Sequence, residues 1–554
     1  MATLTKDRSQ NTIATPQVHV NERCVGCQEC IIRCPTKALS LESEKWVAEV
    51  DNSLCVGCRQ CERVCPVSAV TVEGPVVVAE RTKLASHGGL IRKGDISEVR
   101  PGFATLDAAA KEAERCLNCP DPTCMRGCPA HNDIPAFIEA IRNRDLPKAQ
   151  KVLATTTFLP DVCSRVCNWA NQCEGACTWA LAGAEPVAIG KLERFVTDNS
   201  PFEPSRRGRD TGKRVSAGII GSGPAGIAAA LELASAGVSV TMYDRETALG
   251  GVMHWGIPSY VLPDNASQRP VKALVDAGVE VRAGSEIAPG SIDELLKKHD
   301  AVIVALGAPV PERPEIPGSD LKGVVDATTF LKKAKTALSR SERMPDVDGA
   351  VVAVLGGSNT ALDVARSVLR LGGRPVVIHR REERSSRARP DEIAEAKAEG
   401  VEFRFATNIS ALEGDEGSVK YAVLVRTRQK TASATAEAVV GTESRLKVDM
   451  VVLATGYGLD RTFATALGKL PLIAPSTGRV LPDRRWLASG ILARGNAAGE
   501  DAWEREFALR SSTVPRRARV WLIGDALTGP STVVASMAQG KAAARAILEQ
   551  FSGR

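Results

Sequence analysis

Every cysteine of this chain falls into one of four tight groups. Cys24, Cys27, Cys30 and Cys34 follow C-x2-C-x2-C-x3-C with Pro35 next, and Cys55, Cys58, Cys61 and Cys65 repeat that spacing with Pro66 next. Cys116, Cys119, Cys124 and Cys128 follow C-x2-C-x4-C-x3-C, and Cys163, Cys167, Cys173 and Cys177 follow C-x3-C-x5-C-x3-C, which accounts for all 16. Thiolates two residues apart wrap a tight loop around one face of an iron–sulfur cube, with backbone N–H groups aimed at the sulfurs. Structural zinc sites instead use separated pairs. The groups therefore predict several one-electron centres in a row.

Two glycine turns supply a second kind of chemistry. Around Gly221, Gly223, Pro224, Ala225 and Gly226, a G-x-G-x-x-G turn lies between an apolar strand and a helix, and Asp244 ends the next strand where a ribose hydroxyl needs an acceptor. The stretch from Gly349 repeats the strand–turn–helix–strand pattern, with Gly356, Gly357, Ser358, Asn359 and Thr360 at the turn. The end of its second strand carries His379-Arg380-Arg381, then Arg384, Arg387 and Arg389, where an NAD site wants an acid. Arginine forks suit a 2′-phosphate, which predicts NADP(H) bound through Arg380, Arg381 and Arg387.

The elements that position these residues follow from texture. Residues 24–39 and 55–70 are an internal duplication, CVGCQECIIRCPTKAL against CVGCRQCERVCPVSAV. It resembles bacterial-type ferredoxins with two [4Fe–4S] clusters. That resemblance implies crossed ligation: Cys24, Cys27, Cys30 and Cys65 on one cluster, and Cys55, Cys58, Cys61 and Cys34 on the other. Residues 79–105 show little periodicity and read as a linker or wrapping segment. From 106 the pattern turns helical, with Asp133 as an N-cap and Pro135 in the first turn.

The stretch from CLNCPDPTCMRGCP through CSRVCNWANQCEGAC to IGKLERF resembles the N-terminal domain of the glutamate synthase small subunit. The same domain is known in dihydropyrimidine dehydrogenase and in the large subunit of NADH-dependent reduced ferredoxin:NADP oxidoreductase. This resemblance implies that Cys116, Cys119, Cys124 and Cys177 hold one [4Fe–4S] cluster. It implies that Cys128, Cys167, Cys173 and a carboxylate, Glu193, hold a second. Cys163 then has no cluster role; the residues alone leave open a set completed by Cys163.

The α/β half resembles two-dinucleotide-domain flavoproteins. That implies FAD on the first turn, with Gly251 in the GG…GIP segment lining the flavin. It also implies a second FAD signature in Gly524, Asp525 and Thr532, where Asp525 takes a ribityl hydroxyl. His254 and Trp255 read equally as contacts to the flavin ring or as packing residues, with no catalytic role, and VIVALGAP (302–309) and VVLATGYG (451–458) as crossovers between the two nucleotide domains. No catalytic acid, base or nucleophile is expected, because hydride and electron transfer need none.

The expected fold is multidomain α/β: a ferredoxin (α+β), an all-α iron–sulfur domain, then two Rossmann-like domains. Expected boundaries are 1–80 ferredoxin, 81–105 linker, 106–200 helical iron–sulfur domain, 201–330 and 456–554 FAD-binding, and 331–455 NADP(H)-binding. The expected cofactors are four [4Fe–4S] clusters, FAD and NADP(H). The expected function is electron transfer between NADPH and a partner oxidoreductase subunit or soluble ferredoxin, within a hetero-oligomeric complex. The alternatives are the small subunit of NADPH-dependent glutamate synthase, and a redox sensor or scaffold without turnover.

At 554 residues the chain is too long for one core. A net charge of +6 spread along the sequence gives no nucleic-acid signature. No apolar run suits a bilayer, the opening MATLTKDRSQ lacks a signal-peptide core, and cysteines at metal spacing point to a reducing cytoplasm.

Overall fold

The computed structural model describes residues 15–82, 89–200, 215–431, 434–460, 462–463, 472–474, 479–480 and 519–552. The opening decapeptide, the arginines near 206 and much of the expected second FAD segment lie outside them. The chain divides into two compact units. The first is Met1–Leu84, Gly102–Thr156 and Asn168–Pro201; the second is Ala85–Pro101, Thr157–Cys167 and Phe202–Arg554.

In the first unit the duplicated sequence gives duplicated structure. Each repeat contributes a short helix, Glu29–Ile32 and Gln60–Val64. Strand Gln17–Val20 pairs antiparallel with Val70–Glu73, and Leu39–Glu42 with Val47–Val50. The alternate residues Val18, Leu39, Ala48, Val70 and Val72 face one small core together with Cys30, Cys34 and Cys61.

The helical part is opened by caps. Thr105 accepts from Ala108 N ahead of Leu106–Ala113. Asp133 accepts from Ala136 N ahead of Ile134–Arg142, with Pro135 in the first turn as its sequence implies. Glu112, fully buried, pairs with Arg115 at 2.7 Å and accepts from the N–H groups of Ala188 and Thr82. Arg115 donates in turn to the carbonyls of Ala79, Glu185 and Pro186. One ion pair thus ties the tail of the ferredoxin repeat to the first and last helices of the helical part.

The second unit holds two parallel sheets. The first runs Arg479–Val480, Leu472–Ala474, Val520–Leu522, Ala301–Val304, Ser216–Ile220, Ser239–Asp244, Glu280–Ala283, parallel except at Arg479–Val480. The second, Val324–Asp326, Met450–Leu453, Val351–Leu355, Arg374–His379, Glu402–Phe405, is wholly parallel. Their central strands, Ala301–Val304, Val351–Leu355 and Met450–Leu453, are continuous apolar runs, as burial on both faces demands, whereas the edge strands Glu280–Ala283 and Glu402–Phe405 are mixed. Tyr457–Gly458, at the end of the second crossover segment, pairs with Val310–Pro311, directly after the first.

A polar plug joins the two nucleotide domains. Arg366 and Arg370, each 1% exposed, share Glu399 at 2.6 and 2.8 Å. Arg370 lies over the ring of Tyr260 at 3.7 Å, and the Tyr260 hydroxyl donates to Asp363 O. Segment 89–101 wraps this region. Gly94 N donates to Arg370 O, Val99 N to Tyr260 O, and Arg100 pairs with Glu395 at 2.8 Å.

Burial raises the Glu399 carboxyl, but hydrogen bonds and charge from Arg366 and Arg370 outweigh it and bring it down to about 2. Its stabilising contribution is therefore fully present above the ordinary glutamate range and is lost as pH falls toward 2. Glu399→Gln is expected to destabilise this unit by about 3 kcal/mol at neutral pH. The deficit should shrink in denaturant titrations carried from pH 6 toward pH 3.

Candidate redox site

The crossed cysteine sets are visible in space. One cavity is lined by Cys24, Cys27, Cys30 and Cys65, the first three cysteines of one repeat and the last of the other. Burial raises the Cys30 thiol, and Cys24, Cys27 and Cys65 add to the rise. The complementary set gathers likewise. Burial pushes Cys61 up to about 12, with Cys58, Cys34 and Cys55 contributing. A second cavity is lined by Cys116, Cys119, Cys124 and Cys177.

Local backbone makes these loops. Gly26 (φ +64°) and Gly57 (φ +70°) hold left-handed turns where a Cβ would lie 2.3 Å from Trp46 O and 2.5 Å from Pro75 O, so only glycine fits. Backbone N–H groups point at sulfur: Ala38 to Cys34 (3.2 Å), Ala48 to Cys24 (3.4 Å), Gly57 to Cys55 (3.4 Å) and Ala69 to Cys65 (3.1 Å). Burial raises Cys65, but hydrogen bonds from the N–H groups of Ala69, Val67, Val70 and Ser68 outweigh it, leaving the thiol below its ordinary value.

This donor set fits an iron–sulfur cube better than a single ion. Among the described residues no group of His, Cys, Asp or Glu converges at single-ion distances. The thiols instead surround a cavity, and buried thiols pushed upward ionise only against a cationic core.

Of the fourth expected set, Cys128, Cys173 and Glu193 lie in the first unit and Cys167 in the second. Burial drives the Cys173 thiol well above its ordinary value, and Glu174, Cys128 and Glu193 add to it. Glu193 is 6% exposed on helix Ile189–Asn199. Cys163, also buried, sits within helix Pro160–Val166. Sequence reading missed Glu174, a buried carboxylate beside Cys173 that pairs with Arg81 at 2.9 Å and accepts from Gly190 N.

The first nucleotide turn has the expected steric logic. A Cβ on Gly221 would lie 2.4 Å from Ala305 O and one on Gly226 2.0 Å from Gly221 O, whereas Gly223 opens onto free space. That leaves an approach for a pyrophosphate at the helix beginning Pro224-Ala225. Asp244 accepts from Ser222 N (2.7 Å) and Glu246 N (2.8 Å), so it pins the turn and retains acceptor capacity for a ribose.

Gly251 packs on this turn, its Cβ direction 2.9 Å from Gly223 Cα. The chain's other end meets the same place: Gly524 faces the Ala225 side chain, and Gly540, a residue missed in the sequence, faces Ala225 O. Burial raises Asp525, which is oriented by the Ser531 and Ser536 hydroxyls. Thr532 Oγ1 accepts from Ala535 N at the start of helix Val533–Ser552. Trp255 donates to Ala248 O, and His254 bonds Gln268.

At the second turn, Gly357 lies against His379, and Asn359 Oδ1, beside Ser358 and Thr360 at the helix start, accepts from Arg389 N. A Cβ on Gly356 would lie 2.4 Å from Ala454 O. Burial, then Arg381, Arg380 and Arg387, push His379 down to about 4. These three arginines therefore converge. Among the described residues neither Arg380 nor Arg381 has an ion pair, and Arg381 Nε is buried without a hydrogen-bond partner. The others of the run are otherwise engaged: Arg384 pairs with Glu382, and buried Arg389 with Glu392. Arg380 and Arg381, without ion pairs among the described residues and beside a glycine turn, suit an anion.

Two Rossmann-type turns in one unit, with most of the cysteines in the other, define a class: oxidoreductases that join a flavin, NADPH and iron–sulfur clusters. The chain belongs to the pyridine nucleotide-disulphide oxidoreductase family, whose model matches residues 216–500. A "4Fe-4S dicluster domain" model matches residues 18–72, and a "dihydropyrimidine dehydrogenase domain II, 4Fe-4S cluster" model matches 92–203.

UacF of Escherichia coli (strain K12) is 30% identical over 98% of this chain and 83% of its own length. The glutamate synthase [NADPH] small chain of Azospirillum brasilense is 31% identical over 73% of this chain and 87% of its own. The NADP(+)-dependent formate dehydrogenase subunit beta of Moorella thermoacetica is 32% identical over 76% of this chain and 59% of its own.

Arg381→Gln is expected to raise the KM for NADPH about 10- to 100-fold, the scale of one charge-assisted contact, while leaving that for NADH nearly unchanged. Steady-state dye reduction with each nucleotide checks this.

Proposed function

We propose that the chain exchanges electrons between NADPH and a partner oxidoreductase subunit or soluble ferredoxin through FAD and four [4Fe–4S] clusters. The observation that carries this reading is the gathering of cysteines distant in sequence around shared cavities, in the same chain as two nucleotide turns of different charge. When bound, the flavin supplies the change from paired to single electrons, and the clusters supply the one-electron relay.

The residues of the chain do the positioning. Gly221, Gly223, Gly226 and Gly251 shape the FAD pyrophosphate cradle, Asp244 and Asp525 accept from its hydroxyls, and the helix start after Gly524 and Thr532 faces the flavin end. Gly356, Gly357, Ser358, Asn359 and Thr360 cradle NADP(H), with Arg380, Arg381 and Arg387 on its 2′-phosphate. Cys24, Cys27, Cys30 and Cys65; Cys34, Cys55, Cys58 and Cys61; Cys116, Cys119, Cys124 and Cys177; and Cys128, Cys167, Cys173 and Glu193 hold the four clusters. The thiols must be kept reduced, which suits the cytoplasm. Among the described residues no helix is long and apolar enough to cross a membrane.

A second reading has its own support in the 31% identity to glutamate synthase small chains. The 4Fe-4S dicluster match over residues 18–72 is better explained by traffic with a separate redox protein.

Anaerobically reconstituted protein should carry about sixteen irons per flavin and reduce a viologen dye with NADPH. Far fewer irons, or no dye reduction by fully loaded protein, would overturn the relay. Glutamine-dependent glutamate formation by a co-purifying complex would favour the second reading.

A further inference from the structure

Two cysteine sets of the first unit are joined by charge. Arg33 directly precedes Cys34, and Asp121 lies in the loop between Cys119 and Cys124. Across 88 residues of sequence, Arg33 Nε meets Asp121 Oδ2 at 3.0 Å. Asp121 also takes Arg126, and Arg33 also takes Glu29, so the pair is the middle of a four-member ion network. Arg33 and Asp121 are 31% and 24% exposed, so the contact is partly shielded.

A second guanidinium lies beside the same seam. Arg63, exposed to solvent, donates to Gln60 Oε1 at 2.9 Å and sits in the field of Cys58 and Cys61 from one set and Cys119 from the other. Cys58 and Cys119 are themselves close enough for one to feel the other's charge. Among the described residues the Cys24, Cys27, Cys30 and Cys65 cavity is lined by residues of the ferredoxin repeat alone, and Cys27 is exposed.

We propose that the Arg33–Asp121–Arg126 network is the clamp that seats the Cys34, Cys55, Cys58, Cys61 cluster against the Cys116, Cys119, Cys124, Cys177 cluster for electron exchange. This rests on the relay reading above. It orders the relay: the helical-module cluster, then the Cys34-containing cluster, then the cluster at exposed Cys27. Each step moves one electron, oxidising one cluster by one and reducing the next by one, with no bond made or broken and NADPH as the source. Arg33, Asp121 and Arg126 are positioning residues, because they bring two loops together without being ligands.

The test uses the full chain loaded with clusters and flavin. In stopped-flow reduction by NADPH, Asp121→Asn should slow reduction of the ferredoxin clusters about fivefold, the scale of one partly exposed ion pair. Flavin reduction and iron content should stay native. Low-temperature electron paramagnetic resonance of the reduced protein should show weakened magnetic interaction between the clusters. Asp121→Glu, which keeps the charge, should restore rate and spectrum. Should Asp121→Asn fail to assemble, Arg33→Gln probes the same contact from the other side. A native rate and native interaction spectrum in the assembled variant would overturn the clamp. Native protein whose ferredoxin clusters take no electrons from NADPH would instead overturn the relay itself.

Discussion

Thiols held in dry pockets against one another's charge are the constraint around which the first unit is built. A buried thiol resists ionisation, and each neighbouring thiolate makes the next harder to form. Cys58, Cys61, Cys119 and Cys173 all sit above the ordinary thiol range for this reason. Such a set holds charge only around a cationic core, so folding and cluster binding are coupled. Short helices, left-handed glycine turns and N–H groups aimed at sulfur all serve this purpose, since they replace the water that burial removes.

The second unit solves the opposite problem, gathering positive charge for an anion. Arg380, Arg381 and Arg387 stand beside a glycine turn, and burial, reinforced by their field, keeps His379 neutral beneath it. Nearby arginines are neutralised by carboxylates: Arg366 and Arg370 by Glu399, Arg389 by Glu392. Arg380 and Arg381, which have no ion pair among the described residues, differ in partners from these neighbours, and that difference separates a binding pair from a structural one.

Much of this was legible in one dimension. Periodic spacing wrote out the cysteine loops, because each loop is local; in the two ferredoxin repeats the first three thiols lie within seven residues. Glycine at Gly26, Gly57, Gly221 and Gly226 was equally plain, since no other residue fits those turns. The helix start at Asp133-Ile134-Pro135 read directly from capping chemistry. Other features had no local signal. Glu174, Gly540 and Tyr260 look like ordinary surface, helix and loop residues until their partners arrive from 16, 315 and more than 100 residues away.

The sequence by itself determined which chemistry the chain carries, because ligand spacing and turn glycines are constraints on a few consecutive residues. Only the tertiary structure decided which thiols share a cavity, which arginines stay uncompensated and which loop Arg33 grips. Those outcomes depend on charges brought within a few ångströms across long stretches of chain, where burial strengthens Coulomb forces that a linear reading cannot locate.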